Sequence, residues 1–165
     1  MKILHWNKTD IENITPELFD NWYDVYNYGL IEDRGYTPNS LSKEAQVKIS
    51  EAIKQDYYNY LDNLDDNFKF YKIIVENGKF VAMGRIVTKK NKYYIEGLET
   101  HRDFRQRGYG KVVLKSLITS LFDLGINKVY STIRKTNIPS IKTHESVGFI
   151  RDEESEINYT YIHKR

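Results

Sequence analysis

Seven consecutive residues, Arg105-Gln106-Arg107-Gly108-Tyr109-Gly110-Lys111, combine three cations with two closely spaced glycines. Glycine lets a chain turn tightly and lets a ligand approach the backbone. The leucines and valines that follow, Val113, Leu114, Leu117, Leu121 and Leu124, recur at helical spacing, so the glycines stand where a helix opens. The first amides of a helix have no carbonyl one turn behind them, and the dipole places positive charge there. Together these features predict a site for a phosphate or diphosphate.

Three named motifs can be tested on the same residues. A dinucleotide fingerprint needs a third glycine where Val113 stands, and a P-loop needs glycine at Arg105 and Ser or Thr at Val112. The RNA-recognition signature matches from Arg107 to Gly110 and at Val112. It then requires aromatics where Lys111 and Leu114 stand, and it belongs on a strand rather than a helix.

The elements that must position this turn follow from periodicity. Residues 1–5 read as a short strand. Thr15-Pro16 reads as a cap and first helical residue, after which Leu18, Trp22, Val25 and Tyr26 keep helical spacing until Gly29 ends the run. Residues 31–39, with Gly35 and Pro38, read as a loop. Its Glu32-Asp33-Arg34 is either a solvated triplet or an attractor for a cationic amine. Ile49, Ile53, Tyr57, Tyr60 and Leu64 mark a second helix over 42–64. Asn77-Gly78 joins two runs rich in aromatic and β-branched residues, 68–76 and 79–87, as a two-residue hairpin, and 93–100 adds a third strand. After the glycine turn come a helix closed by Gly125, a strand at 129–134, a helix at 137–147, and strands at 149–151 and 157–163. This order predicts an α/β mixed sheet with helices packed on it.

Composition bounds the rest. The 165 residues suit one domain. The 25 Lys and Arg nearly balance 23 Asp and Glu, which argues against nucleic acid or an anionic membrane as partner. There is no cysteine, so disulfides, cysteine–metal sites and cysteine nucleophiles are excluded. No apolar run approaches the roughly 20 residues of a membrane helix, and the first six residues lack a signal-peptide core. A cytoplasmic protein is therefore expected. Fourteen tyrosines indicate broad aromatic packing or an aromatic-lined cleft.

Arg105-x-x-Gly108-x-Gly110, after a strand and opening a helix, resembles the acyl-CoA motif of the GNAT superfamily of N-acyltransferases. Asn137-Ile138-Pro139-Ser140, followed by Gly148-Phe149, resembles its second signature. The likeness covers residues 68–163. It implies a GNAT-like fold: a mostly antiparallel sheet of six to seven strands flanked by about four helices. Residues 1–165 would form a single domain, in which 1–67 shape the substrate site and 68–163 form the core.

The resemblance further implies that Arg105, Gln106, Arg107, Gly108, Tyr109, Gly110 and Lys111 hold the diphosphate of acetyl-CoA. The pantetheine arm would lie where strand 93–100 splays from 129–134, pairing with backbone near Leu98, Glu99 and Thr100. An N–H near Thr100 would polarise the thioester carbonyl. Asn137, Ser140 and His144 would border the cofactor. His144 stands where many members carry a tyrosine that protonates the departing thiolate. It is read either as that acid or as a hydrogen-bonding residue beside the cofactor. Glu96, and behind it Glu99, are candidates for the base that deprotonates the amine. Strict alternation puts Glu96 with Leu98 and Thr100 and turns Glu99 the other way, unless a bulge slips the register.

The function implied is transfer of an acetyl group from acetyl-CoA to a small-molecule or peptide amine, in a ternary complex and without a metal. A homodimer is compatible with the family. The competing readings are a non-catalytic acyl-CoA-binding module of the same fold and, from the partial signature, an RNA-binding module.

Overall fold

The hairpin signals set the frame. The structure is a computed structural model that describes residues 1–33, 35, 40–62 and 64–165, with the backbone alone at 28, 32, 33 and 62. The side chains of the Glu32-Asp33-Arg34 triplet therefore lie outside the described residues. Strands β1 (Lys2–Trp6), β2 (Phe68–Glu76), β3 (Lys79–Lys89) and β4 (Lys92–Thr100) pair antiparallel in sequence. Asn77 and Gly78 take φ of 50° and 78°, the left-handed pair that a two-residue hairpin needs. Lys90 and Asn91 do the same at the next turn (φ 48° and 59°). Strands β5 (Lys128–Arg134), β6 (Ile150–Glu154) and β7 (Asn158–Lys164) form a second antiparallel group. Among the described residues the seven strands make one sheet in the order β1-β2-β3-β4-β5-β7-β6, the mixed, mostly antiparallel sheet expected.

Among the described residues the two groups share one parallel register pair, Tyr94 opposite Tyr130. Next to it the buried Ser131 hydroxyl donates to the Ile95 carbonyl at 3.3 Å, so a side chain replaces a ladder bond. Beyond this point β4 runs on toward Thr100 with no ladder partner on the β5 side among the described residues.

Helices cover both faces: α1 (Lys8–Glu12), α2 (Pro16–Asp33) and α3 (Lys43–Asp62) before β2, α4 (Tyr109–Asp123) after β4, and α5 (Ile138–Glu145) after β5. One core lies under α4, where Val113, Leu114, Leu117 and Leu121 are sealed against Ile86 and Ile95. Each such side chain contributes about 1.5–3 kcal/mol on leaving water. The other core lies under α2 and α3 and is aromatic: Trp22 is 1% exposed and packs against Tyr26, Tyr57 and Tyr71. This is where much of the tyrosine goes.

Three details differ from the sequence reading. Helix α2 does not end at Gly29 but runs to Asp33, because Ile31 is 4% exposed and its burial outweighs the glycine. Phe19, not Leu18, faces the core. Leu124 is exposed beyond the end of α4 rather than part of its apolar face.

Candidate active site

The site is built at the end of β4. There Gly97 adopts φ 56°, and the β3–β4 register shifts between Met83 and Arg85. The shift is a bulge, and it changes which way the strand's last residues point. The Tyr26 hydroxyl fixes it from α2, donating to the Gly97 carbonyl at 2.7 Å. Burial pushes the Tyr26 phenol well above its ordinary value, so it stays a donor. Leu98 then packs into the α4 core together with Ile95. Glu99 turns to the α2 face, and a methyl group on Gly29 would stand 2.9 Å from its Oε2. Strict alternation is therefore corrected: Glu96 and Glu99 share the α2 face, and Leu98 lies opposite.

Glu96 does not reach the cleft. Its carboxylate accepts from Lys89 Nζ, and from Arg85 Nη2 at 3.3 Å. Burial alone would raise this carboxyl, but the two cations outweigh it and hold it below its usual range. A base already spoken for by two cations is a poor acceptor for a proton.

Beyond Thr100 a short 3-10 turn (Arg102–Phe104) is capped by His101, whose Nδ1 accepts from the Asp103 amide at 3.2 Å. Gln106 (φ 63°) and Gly108 (φ 83°) then both take the left-handed conformation. For glutamine this costs about 1–3 kcal/mol, strain of a kind that gathers at ligand sites. The Gly108 carbonyl accepts from the amides of Lys111 and Val112 at 3.1 and 3.3 Å, so residues 108–110 open α4 with their own amides pointing outward.

A cleft of about 780 Å³ joins these parts. Its walls are Leu98, Glu99 and Thr100 of β4, Phe104, Arg105, Gln106, Gly108, Tyr109, Gly110 and Lys111 of the turn, Gly29 of α2, and Asn137, Pro139, Ser140 and Thr143 around α5. The residues nominated from sequence thus meet here, with three exceptions: Glu96, Arg107 and His144. Arg107 lies over the Phe104 ring, 5.2 Å from its centroid. Asn137 caps α5, accepting from the Ser140 amide at 3.2 Å.

His144 is 1% exposed and packs edge-on to Phe149. Its Nδ1–H donates to the Ser140 carbonyl at 2.8 Å, which leaves Nε2 as a bare lone pair with no partner among the described residues. Burial lowers its pKa, outweighing the opposing effect of that hydrogen bond. A neutral ring in this tautomer has no proton to give at Nε2. The geometry thus favours the structural reading of His144 over the acid.

Residues 107–114 form a turn and a helix, not the strand that the RNA-recognition signature requires. Cations, helix-opening amides and a bare strand edge around one cleft suit an extended, diphosphate-bearing ligand with amide groups. The family model described as acetyltransferase (GNAT) family matches residues 36–149. The chain belongs to the GNAT acetyltransferase family. GNAT enzymes of solved structure share its fold. The PaiA N-acetyltransferase of Thermoplasma acidophilum, in complex with coenzyme A, is 13% identical over 100% of both chains with a TM-score of 0.69. The Campylobacter jejuni N-acetyltransferase PseH, in complex with acetyl coenzyme A, is 13% identical over 99% of both chains (TM-score 0.62). The ribosomal-protein-S18-alanine N-acetyltransferase of Escherichia coli is 15% identical over 98% of this chain and 91% of its own (TM-score 0.59).

Sequence reasoning missed Gly29, Phe104, Pro139 and Thr143 in this GNAT cleft. Gly29 did carry a signal: it follows Tyr26 and Val25 at helical spacing, so it sits on their face of the helix, and there it marks a close approach rather than an end. Among the described residues no group of three His, Cys, Asp or Glu is placed to hold a metal, and no helix is long and apolar enough to cross a membrane.

Proposed function

We propose that this GNAT protein transfers an acetyl group from acetyl-CoA to a primary amine by direct attack within a ternary complex. The observation that carries the proposal is the continuity of one cleft from the diphosphate turn, along the bare edge of β4, to the Glu99 carboxylate beside Gly29. The amides at 108–110 with Arg105 and Lys111 would hold the diphosphate. The backbone of Leu98 and Thr100 would receive the pantetheine amides, as a strand edge receives a peptide. The Thr100 N–H would face the thioester oxygen. Glu99, which lines the cleft where Glu96 does not, would orient the amine and take its proton. Acetyl-CoA, when bound, supplies a thioester, an acyl group already activated toward an amine; His144, whose ring nitrogen Nε2 carries no proton, is assigned no acid role. Holding amine and carbonyl together supplies much of the rate.

A chromogenic thiol reagent tests this directly. The chain has no cysteine, so every thiol that appears is released coenzyme A. Incubation with acetyl-CoA and a panel of small-molecule and peptide amines should give amine-dependent release, lost in Glu99→Ala. Tight acetyl-CoA binding with release at background for every amine would instead identify a binding module.

A further inference from the structure

The turn that would hold the diphosphate and the carboxylate that would receive the amine are bonded to each other. Arg105 Nη2 donates to Glu99 Oε1 at 3.1 Å. Arg105 Nε donates to the Thr100 carbonyl at 3.3 Å. The Thr100 amide donates to the same Glu99 oxygen at 3.1 Å. The acyl-CoA function proposed for this cleft needs each of these groups elsewhere: Arg105 at the diphosphate, Thr100 N–H and carbonyl along the pantetheine arm, Glu99 at the amine. Without ligand they bond to one another.

Resting on that acyl-CoA function, we propose that Arg105 and Glu99 are exchange partners, and that acyl-CoA binding breaks their ion pair to assemble the acceptor end of the site. The diphosphate carries more charge than one carboxylate and offers a guanidinium two parallel hydrogen bonds, so it wins the competition for Arg105. The pantetheine claims the Thr100 backbone, which displaces Glu99 Oε1 from the amide. Glu99 Oε1 then gives up the Arg105 cation and the Thr100 donor together, and the acceptor's nitrogen takes their place at that oxygen. Gly29 fits this role. A glycine weakens an 18-residue helix, yet here any side chain would crowd Glu99 Oε2, 2.9 Å from where its first carbon would stand, and both residues line the cleft. Arg105 is thus a positioning residue for the amine as well as a ligand for the diphosphate.

The consequence runs against the usual expectation that removing a cleft residue weakens binding. Calorimetric titration with coenzyme A, on wild type, Glu99→Gln, Arg105→Ala and the double variant, reads it. Glu99→Gln should bind about threefold to fivefold tighter, the worth of a half-exposed ion pair that no longer has to be broken. That gain should vanish in the Arg105→Ala background, and Glu99→Ala should move affinity the same way as Glu99→Gln. In wild-type protein, where no folding defect can intervene, coenzyme A should shift the carboxyl carbon resonance of Glu99. An unmoved resonance, unchanged or weaker binding in Glu99→Gln, or an equal gain without Arg105 overturns the exchange. Wild type that takes up no coenzyme A overturns the acyl-CoA reading as well, whereas wild type that binds while Glu99→Gln stays flat overturns the exchange alone.

Discussion

Replacing Gly108 with valine separates what the turn does for the fold from what it does for a ligand. Gly108 has φ 83°, and a methyl group built on it meets nothing within 4 Å. The new side chain collides with no protein atom, so the cost to the fold is the left-handed backbone, about 1–2 kcal/mol for an L-residue. At about 2–4 °C per kcal/mol for a chain of this size, the melting midpoint should fall by about 2–8 °C. The effect on binding is of another order, because Gly108 lines the cleft and the valine stands where a phosphate would meet the helix-opening amides. Losing about two charge-assisted hydrogen bonds, at about 1.5–3 kcal/mol each, weakens coenzyme A by about 3–6 kcal/mol, or about 10²- to 10⁴-fold. Thermal scanning and calorimetric titration on the same preparation give both numbers. A midpoint that falls as stated, with affinity within about threefold of wild type, would refute the assignment of this turn to the diphosphate.

The buried and paired groups give two further outcomes. His144 has an ordinary value of 6.5 when unfolded and a lower one when folded. Above about pH 6.5 both states are neutral and its contribution to stability is complete. As the pH falls from there toward the folded value, only the unfolded chain takes up the proton, and stability is lost. The stability advantage of wild type over His144→Gln, measured by urea unfolding, should therefore shrink between pH 8 and pH 5; a constant difference would mean that burial does not disfavour the charged ring. Glu96→Gln leaves Arg85, whose side chain is 18% exposed, without its carboxylate, and should cost about 1–3 kcal/mol in the same assay. Its coenzyme A affinity should stay at the wild-type value, since Glu96 lies outside the cleft; a clear loss would place it inside.

The signals that survived the passage from sequence to structure are local ones. Asn77-Gly78 sets its own φ angles, the leucines of α4 set their own face, and Gly108 and Gly110 stand at the opening of that helix. The glycine turn proposed for the diphosphate was legible for that reason, since adjacent residues dictate its backbone geometry. What the sequence reading misplaced depends on residues far away in the chain. Gly97 bulges β4 with the hydroxyl of Tyr26, 71 residues earlier, bonded to its carbonyl, and that bulge decides where Glu99 points. His144 is withdrawn from the cleft by Phe149 and the Ser140 carbonyl, a burial that helical period alone does not reveal. Helix α2 passes Gly29 because Ile31 finds a core to enter. The five-residue α1 is too short for a period, and only its Asn7–Asp10 capping box announces it.

A sheet joined at its centre by one residue pair has two raw margins facing inward rather than outward. Ordinary sheets keep such margins at their flanks and blunt them with charge, as Asp152, Glu153 and Glu154 do on β6. The notch between β4 and β5 cannot be blunted in that way without closing it to a ligand. Under the proposed function the pantetheine arm would act there as a keystone, bridging β4 and β5 beyond their register pair at Tyr94 and Tyr130. Protein saturated with coenzyme A should then resist heat better than the same protein alone, seen as a melting midpoint that rises with its concentration.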